Sequence, residues 1–309
     1  MVDEPTVGDG MVDNVEPTIW KVPERPSRAT VPLWSVFVPV VVALAIIMAA
    51  MQRPDERLHL WVLDVGEGNA LLVRTPAGHT ILVDGGPGVT PLAEGIGSRL
   101  PAWQHSIDVV VLTAPQQENM MGLVDLMSRY KVGQVVQTTF TPTTTLQQVW
   151  SRTVQAQQVP VHYARRGDLI GFEGEPEVII KVLYAGNGTS SRGAGMVLSI
   201  EYGSTNILLA ADIGPQAEDA VVRDEGDALA SDVLIVANHG SATTSKANFL
   251  EKVRPEVSII SVGAGNRFGY PNIDTLGRLQ ATGSQVYRTD LMGTVEIVAE
   301  KSRFWMAER

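Results

Sequence analysis

Between residues 107 and 122 the chain passes from an apolar, β-branched run (Val109, Val110, Val111, Leu112) to a polar loop (Thr113 to Asn119), then to a helix-like spacing of Met120, Leu123, Leu126 and Met127. A buried strand that empties into a short polar loop at a sheet edge is a common place for chemistry in α/β proteins. Other runs of this kind follow. Leu58, Leu60 and Val62 open a first strand that ends at Asp64-Val65-Gly66-Glu67-Gly68-Asn69. Residues 70–75 and 80–83 read as the next two strands, joined by the turn Pro76-Ala77-Gly78-His79 and closed by Asp84-Gly85-Gly86. Three short strands with Gly-rich turns predict an antiparallel start to a sheet.

Beyond the loop the pattern predicts helices over 123–130, 144–158, 216–222, 246–253 and 272–281. It predicts strands over 133–137, 159–163, 178–184, 197–202, 206–210, 233–236, 257–262, 285–287 and 293–299. Residues 185–195 read as a flexible loop. Strands that pair first as hairpins and then alternate with helices predict an α/β chain with two sheets and helices on the outer faces, an αββα sandwich.

The N-terminal part differs. Residues 1–30 carry Asp3, Glu4, Asp9, Asp13, Glu16 and Glu24 with little apolar periodicity, the pattern of a disordered acidic tail. Residues 31–52 hold an uncharged run, VPLWSVFVPVVVALAIIMAAM, long enough for a single-pass transmembrane helix. Trp34 suits a headgroup region, and Pro32 and Pro39 are tolerated in membrane helices. The long acidic leader argues against a cleaved signal peptide. Lys21, Arg25 and Arg28 before the run, against Arg53 and Arg57 after it, lean towards a cytoplasmic N-terminus and an extracytoplasmic bulk domain. Residues 53–57 read as a linker and 58–309 as the globular domain, so the expected location is the cell membrane.

The chain has 309 residues and a net charge of −10. That balance gives no strong nucleic-acid signal, since no excess of Lys and Arg exists to neutralise phosphates. The lack of cysteine removes disulfides, thiolate metal sites and cysteine nucleophiles. His239-Gly240-Ser241 lacks the Gly-x-Ser-x-Gly elbow of a nucleophilic serine, so Ser241 reads as a cap for a helix near Thr244. The glycines 66, 68, 85, 86 and 88 lack a following Lys-Ser/Thr and read as turns. Arg165-Arg166 reads as solvated surface. His59, His79, His105 and His162 show no ligand spacing and read as surface or ordinary packed residues. Asp84 reads as an acceptor for loop amides.

Seven segments in order resemble the metallo-β-lactamase superfamily, and within it the soluble domain of ComEC-type DNA-uptake competence proteins. They are Leu63-Asp64-Val65-Gly66-Glu67-Gly68-Asn69-Ala70; Thr75-Pro76-Ala77-Gly78 with Ile81-Leu82-Val83-Asp84-Gly85-Gly86; the loop after Leu112; Leu208-Leu209-Ala210-Ala211-Asp212; Asn238-His239-Gly240-Ser241; Ile260-Ser261-Val262-Gly263 with Asn266-Arg267-Phe268-Gly269-Tyr270-Pro271; and Tyr287-Arg288-Thr289-Asp290 with Gly293. The resemblance implies a metallo-β-lactamase-like fold and, in the family, one or two divalent metals held by a Thr-His-x-His-x-Asp-His loop. Here Ala114, Gln116, Glu118 and Asn119 stand at the loop's ligand positions, Asn238 and Tyr270 at two later histidines, and Asn69 at an early aspartate. Asp212, at the metal-bridging position, and His239 remain.

Alanine has no donor atom, and neutral amides are poor zinc ligands. The expectation is therefore a degenerate metallo-hydrolase without a cofactor, a membrane-anchored binding or assembly module. Its pocket is formed by Gln116, Glu118, Asn119, Asp212, Asn238, His239 and Tyr270, which take a polar ligand or an unidentified protein partner. Two alternatives stay open. One is a metal-dependent phosphodiesterase or nuclease with a reduced site on Asp212, His239 and Glu118 and weakly bound Mg²⁺, Mn²⁺ or Zn²⁺. The other is a non-cutting accessory factor in DNA uptake.

Overall fold

The structure, a computed structural model, describes residues 32, 34–51, 54–186 and 195–308, with side chains of 47–51 excepted. The chain divides into two units, Met1–Met51 and Gln52–Arg309. In the first, helix α1 spans Trp34–Met51. Among the described residues no helix is long and apolar enough to cross a membrane. The predicted acidic tail over 1–30 lies outside the described residues, as does most of the loop over 185–195.

The second unit is built in two halves. The first runs β1 (Leu58–Val62), β2 (Leu71–Arg74), β3 (Thr80–Val83), α2 (Val89–Gly97), β4 (Ser106–Leu112), α3 (Gln117–Arg129), β5 (Lys131–Gln137), α4 (Thr145–Ala156) and β6 (Val161–Tyr163). The second runs β7 (Leu169–Phe172), β8 (Glu175–Ala185), β9 (Met196–Tyr202), β10 (Thr205–Leu209), α5 (Pro215–Glu225), β11 (Val233–Ile235), α6 (Ala247–Val253), β12 (Val257–Ile260), α7 (Ile273–Ala281) and β13 (Gln285–Arg288), then α8 (Thr289–Met292), β14 (Val295–Glu300) and β15 (Arg303–Met306). One sheet has the order β15-β14-β1-β2-β3-β4-β5-β6, the other β13-β12-β11-β10-β9-β8-β7. The last hairpin thus returns to the first sheet and seals β1, pairing Leu60 with Ile297. Strands β7 and β15 lie where the sequence pattern marks no strand.

The alternation of side chains along the strands divides the core into layers. Leu58, Leu60, Val62, Val109, Val111, Ile207, Leu209 and Ile259 meet between the sheets. Their neighbours Leu63, Leu72, Leu82 and Val110 face outwards under α2, α3 and α4, with Trp150 filling the far end. Leu208, Leu234 and Ile260 do the same under α5, α6 and α7 with Phe249 and Leu250. This is the predicted αββα sandwich.

Helix starts are set by side chains. Thr144 Oγ1 accepts from the Gln147 N–H at 3.2 Å, and Asn272 Oδ1 from the Asp274 N–H at 2.9 Å. Helix α6 takes its cap from outside its own segment: the Glu218 carboxylate of α5 accepts from the N–H groups of Ser245 and Lys246. That corrects the reading of Ser241, whose hydroxyl instead pairs with Thr243 and Thr244 inside the preceding loop. Arg278 of α7 closes the same loop by donating to the carbonyls of Ser245, Thr244 and Ala242.

Candidate functional site

Strands β3 and β4 run parallel, as do β10, β11 and β12. Their carboxyl ends lie at one edge of the sandwich, where open α/β sheets place ligands. The exits are tightly bent. Asp84, Ala211, Asn238 and His239 have φ of 57°, 39°, 47° and 55°, four of the eight non-glycine residues with positive φ among the described residues. Such conformations are costly for L residues and gather where a fold needs to aim side chains.

Asp212 is the centre. Its side chain is 3% exposed. Asn69 Nδ2 donates to Oδ1 at 3.1 Å and Asn119 Nδ2 to Oδ2 at 2.7 Å. Bonds to a charged acceptor of this kind are the stronger sort. Asn119 reaches Asp212 because α3 presses onto the turn after β3. A Cβ on Gly122 would lie 1.9 Å from the Gly85 carbonyl oxygen, so only glycine allows the approach. That places the glycines at 85 and 122 in a packing role.

His239 follows β11. Its Nδ1 lies 2.7 Å from the Ser261 carbonyl oxygen, which can only accept, so Nδ1 carries the proton. Its Nε2 faces Asp212 Oδ1 at 3.6 Å, beyond hydrogen-bond range. Asn238 turns away and donates to the Ile213 carbonyl. The Tyr270 ring lies 6.1 Å from the His239 ring, and Phe268 stacks on Tyr270 at 5.7 Å.

The cleft these residues bound has a volume of about 570 Å³. Gln116, Glu118, Asp212, Asn238, His239 and Tyr270 line it. Asn119 stands behind Asp212, fully buried, and Ala114 is likewise buried. Among the described residues no three His, Asp or Glu side chains converge as a metal site would require. Asp84 accepts from the Thr113 N–H at 2.8 Å and the Thr113 hydroxyl, joining the exits of β3 and β4. Burial pushes its carboxyl well above the usual range, against the pull of those two bonds, with Asp212 adding to the rise.

The contacts of three residues escaped sequence reasoning. Asn69 clasps Asp212 from 143 positions away. Glu218, buried under α6, is pushed by burial up to about 7, partly offset by its two backbone bonds. His59, on β1, is held between Asp55 and Glu296, a pairing that its sequence neighbourhood does not display.

The fold and this edge site define a class. In structure, the chain is similar to the metallo-β-lactamase fold protein YhfI from Bacillus subtilis, with a TM-score of 0.52 and 11% identity over 81% of this chain and 100% of that one. It is also similar to Igni18, a metallo hydrolase from Ignicoccus hospitalis, with a TM-score of 0.51 and 13% identity over 81% and 99%. The chain has the metallo-β-lactamase fold. Its sequence relatives include a competence protein and a ComE operon protein. It is 34% identical over 104 residues to Competence protein ComA of Neisseria gonorrhoeae, covering 34% of this chain and 15% of that protein. It is 23% identical over 251 residues to ComE operon protein 3 of Bacillus subtilis, covering 76% and 32%. The chain therefore spans about a third or less of the relatives' length. No family model matches.

Proposed function

We propose that this protein is a DNA-uptake-related, membrane-anchored relative of the metallo-hydrolases that binds or assembles rather than cleaves. The observation that carries the reading is the pair of amides on Asp212. A carboxylate that bridges two cations must leave its oxygens facing open coordination positions. Here both oxygens accept hydrogen bonds from Asn69 and Asn119, and amide N–H groups supply the neutralising partners. The other residues at the ligand positions that the resemblance implies do not fit a two-metal centre. Ala114 has no donor, Gln116 and Asn238 offer neutral oxygens, and a tyrosine stands at 270. With those ligands gone, a bridging hydroxide has nothing to hold it. Anchoring rests on the uncharged run over 31–51, and the link to DNA uptake rests on the competence relatives.

Elemental analysis of the purified full chain, with a phosphodiester turnover assay in added zinc and manganese, tests the reading. The expected result is substoichiometric metal and no turnover above the Asp212→Ala variant. Stoichiometric metal with turnover that Asp212→Ala and His239→Ala abolish overturns it. Separately, release from membranes by high-salt washing alone would sink the anchor.

A further inference from the structure

The cleft wall carries three carboxylates, Glu67, Glu118 and Asp212, against one guanidinium, Arg267. Arg267 stays at the rim with its side chain 81% exposed. Its backbone N–H donates to Glu67 Oε1 at 3.2 Å, its Nε lies 3.9 Å from Glu67 Oε2, and its guanidinium stands 5.1 Å from the centre of the Phe268 ring. The chain's own arginine thus rests in a clamp of one carboxylate and one ring face, the pair of contacts that suits a planar cation.

Inward of that clamp the same chemistry repeats with no cation in it. Phe268, 58% exposed, stacks on Tyr270, and Tyr270 leans on His239 beside Asp212. The Glu118 side chain, which also lines the cleft, makes no hydrogen bond or ion pair with any described residue. Asn119, fully buried, gives its Nδ2 to Asp212 and leaves its Oδ1 without a donor among the described residues. With three carboxylates against one guanidinium, the cleft wall carries a net negative charge. In a partly buried site that imbalance attracts a cation and repels a polyanion.

We propose that the inner cleft is a socket for a basic side chain, the guanidinium or ammonium group of an Arg or Lys on a partner protein. The charged head sits between Glu118 and Asp212, and the methylene stem lies along the Phe268–Tyr270 face. This deepens the reading of the cleft as a binding site and rests on it.

The test is fluorescence anisotropy of the full chain in detergent, with chelator present, against labelled Gly/Ser peptides that carry one arginine, one lysine or one citrulline. Citrulline keeps the shape of arginine and removes its charge. The arginine and lysine peptides are expected to bind, with citrulline roughly tenfold weaker or worse, since an unpaired charge would remain in the cleft. Glu118→Gln and Phe268→Ala are each expected to weaken arginine binding several-fold with unchanged circular dichroism. Asp227→Asn, which alters an exposed acid paired with Lys252, is expected to leave it unchanged. Equal binding of citrulline, no binding of either basic peptide, or equal losses in Asp227→Asn and Glu118→Gln overturns the proposal. So does a thymidine oligonucleotide that binds in a Phe268-dependent way. Because chelator removes metal-dependent turnover, failure here and failure of the non-catalytic reading show up in different assays.

Discussion

Asn119 donates to Asp212 at 2.7 Å across 93 positions of the chain, from a helix on one sheet to a strand exit on the other. The contact therefore ties the two halves of the sandwich together at the mouth of the cleft. It does so with a neutral donor, at the position where the sequence resemblance implies a metal-bridging carboxylate. The carboxylate is buried, so its charge has to be met from within the protein.

Removal of that donor is expected to cost stability. Asn119→Ala leaves Oδ2 of a buried carboxylate without a partner, and hydrogen bonds to charged groups are worth roughly 1.5–3 kcal/mol. Urea unfolding should show a loss of that size. In an Asp212→Ala background the same substitution should cost much less, because the charge that needs the amide is gone. Equal losses in both backgrounds would show that Asn119 stabilises the fold by packing alone.

A chelator is expected to change nothing. A metal bound only by the folded state would raise the melting temperature through mass action. EDTA should leave the thermal midpoint where it was, and excess zinc should not raise it. A chelator-induced fall that zinc reverses would show a resident ion.

Much of the scaffold was legible because each strand is a local signal. Val109 to Leu112 alternate between the inter-sheet core and the α3 face, and the β-branched run announces them without knowledge of the rest. Several residues of the cleft wall, such as Gln116, Glu118, Asp212 and Asn238, follow shortly after such a strand. What the chain does not display locally is pairing at a distance. Asn69 reads as a missing ligand until Asp212 is seen beside it, and His59 as a solvated strand residue until Glu296 arrives on β14, 237 positions later. Strand β15 hid because Arg303-Phe304-Trp305-Met306 has no alternation, and its pairing with β14 decides it.

Gly122→Ala should be strongly destabilising although alanine favours helices. Its methyl would meet the Gly85 carbonyl and the Leu92 side chain, so α3 must move outward and carry Asn119 with it. Overpacking of this kind costs roughly 1–3 kcal/mol. Gly97→Ala in α2, where an added Cβ meets nothing within 4 Å, is the control and should be neutral or stabilising. Similar melting temperatures for the two variants would contradict the close approach.

Glu218 predicts a slope in stability at mildly acid pH. Its carboxyl is raised from 4.5 to about 7, with burial as the leading cause. The folded state then holds a proton that the unfolded chain has released. Stability from this group is fully present below about pH 4.5, falls as pH rises to about 7, and is level beyond. The whole effect is of the order of 3 kcal/mol. Glu218→Gln should flatten that segment of the stability curve while α6 keeps a neutral cap. A slope unchanged in the variant would assign it to another group.

His59 predicts a second slope, on the other side of neutrality. Its Nδ1 lies 2.7 Å from Glu296 Oε1 and its Nε2 3.0 Å from Asp55 Oδ2. Carboxylates only accept, so both ring nitrogens donate and the ring is an imidazolium. Burial opposes that charge, but the bonds to Glu296 and Asp55 outweigh it and hold the pKa above its ordinary value. A raised histidine contributes stability that is complete below its unfolded pKa, about 6.5, and is lost as pH rises through the folded value. The two windows overlap between about pH 6.5 and 7, so the Glu218→Gln and His59→Gln variants are what separate the slopes. His59→Gln should remove the fall above neutral pH, since an amide keeps donors but no longer titrates. His59→Leu should cost more at neutral pH, because it leaves Asp55 and Glu296 facing an apolar side chain. Guanidinium unfolding of the parent and both variants, stepped from acid to alkaline pH, measures all three. A parent curve that is flat above neutrality would mean that His59 is not held as a cation by its two carboxylates.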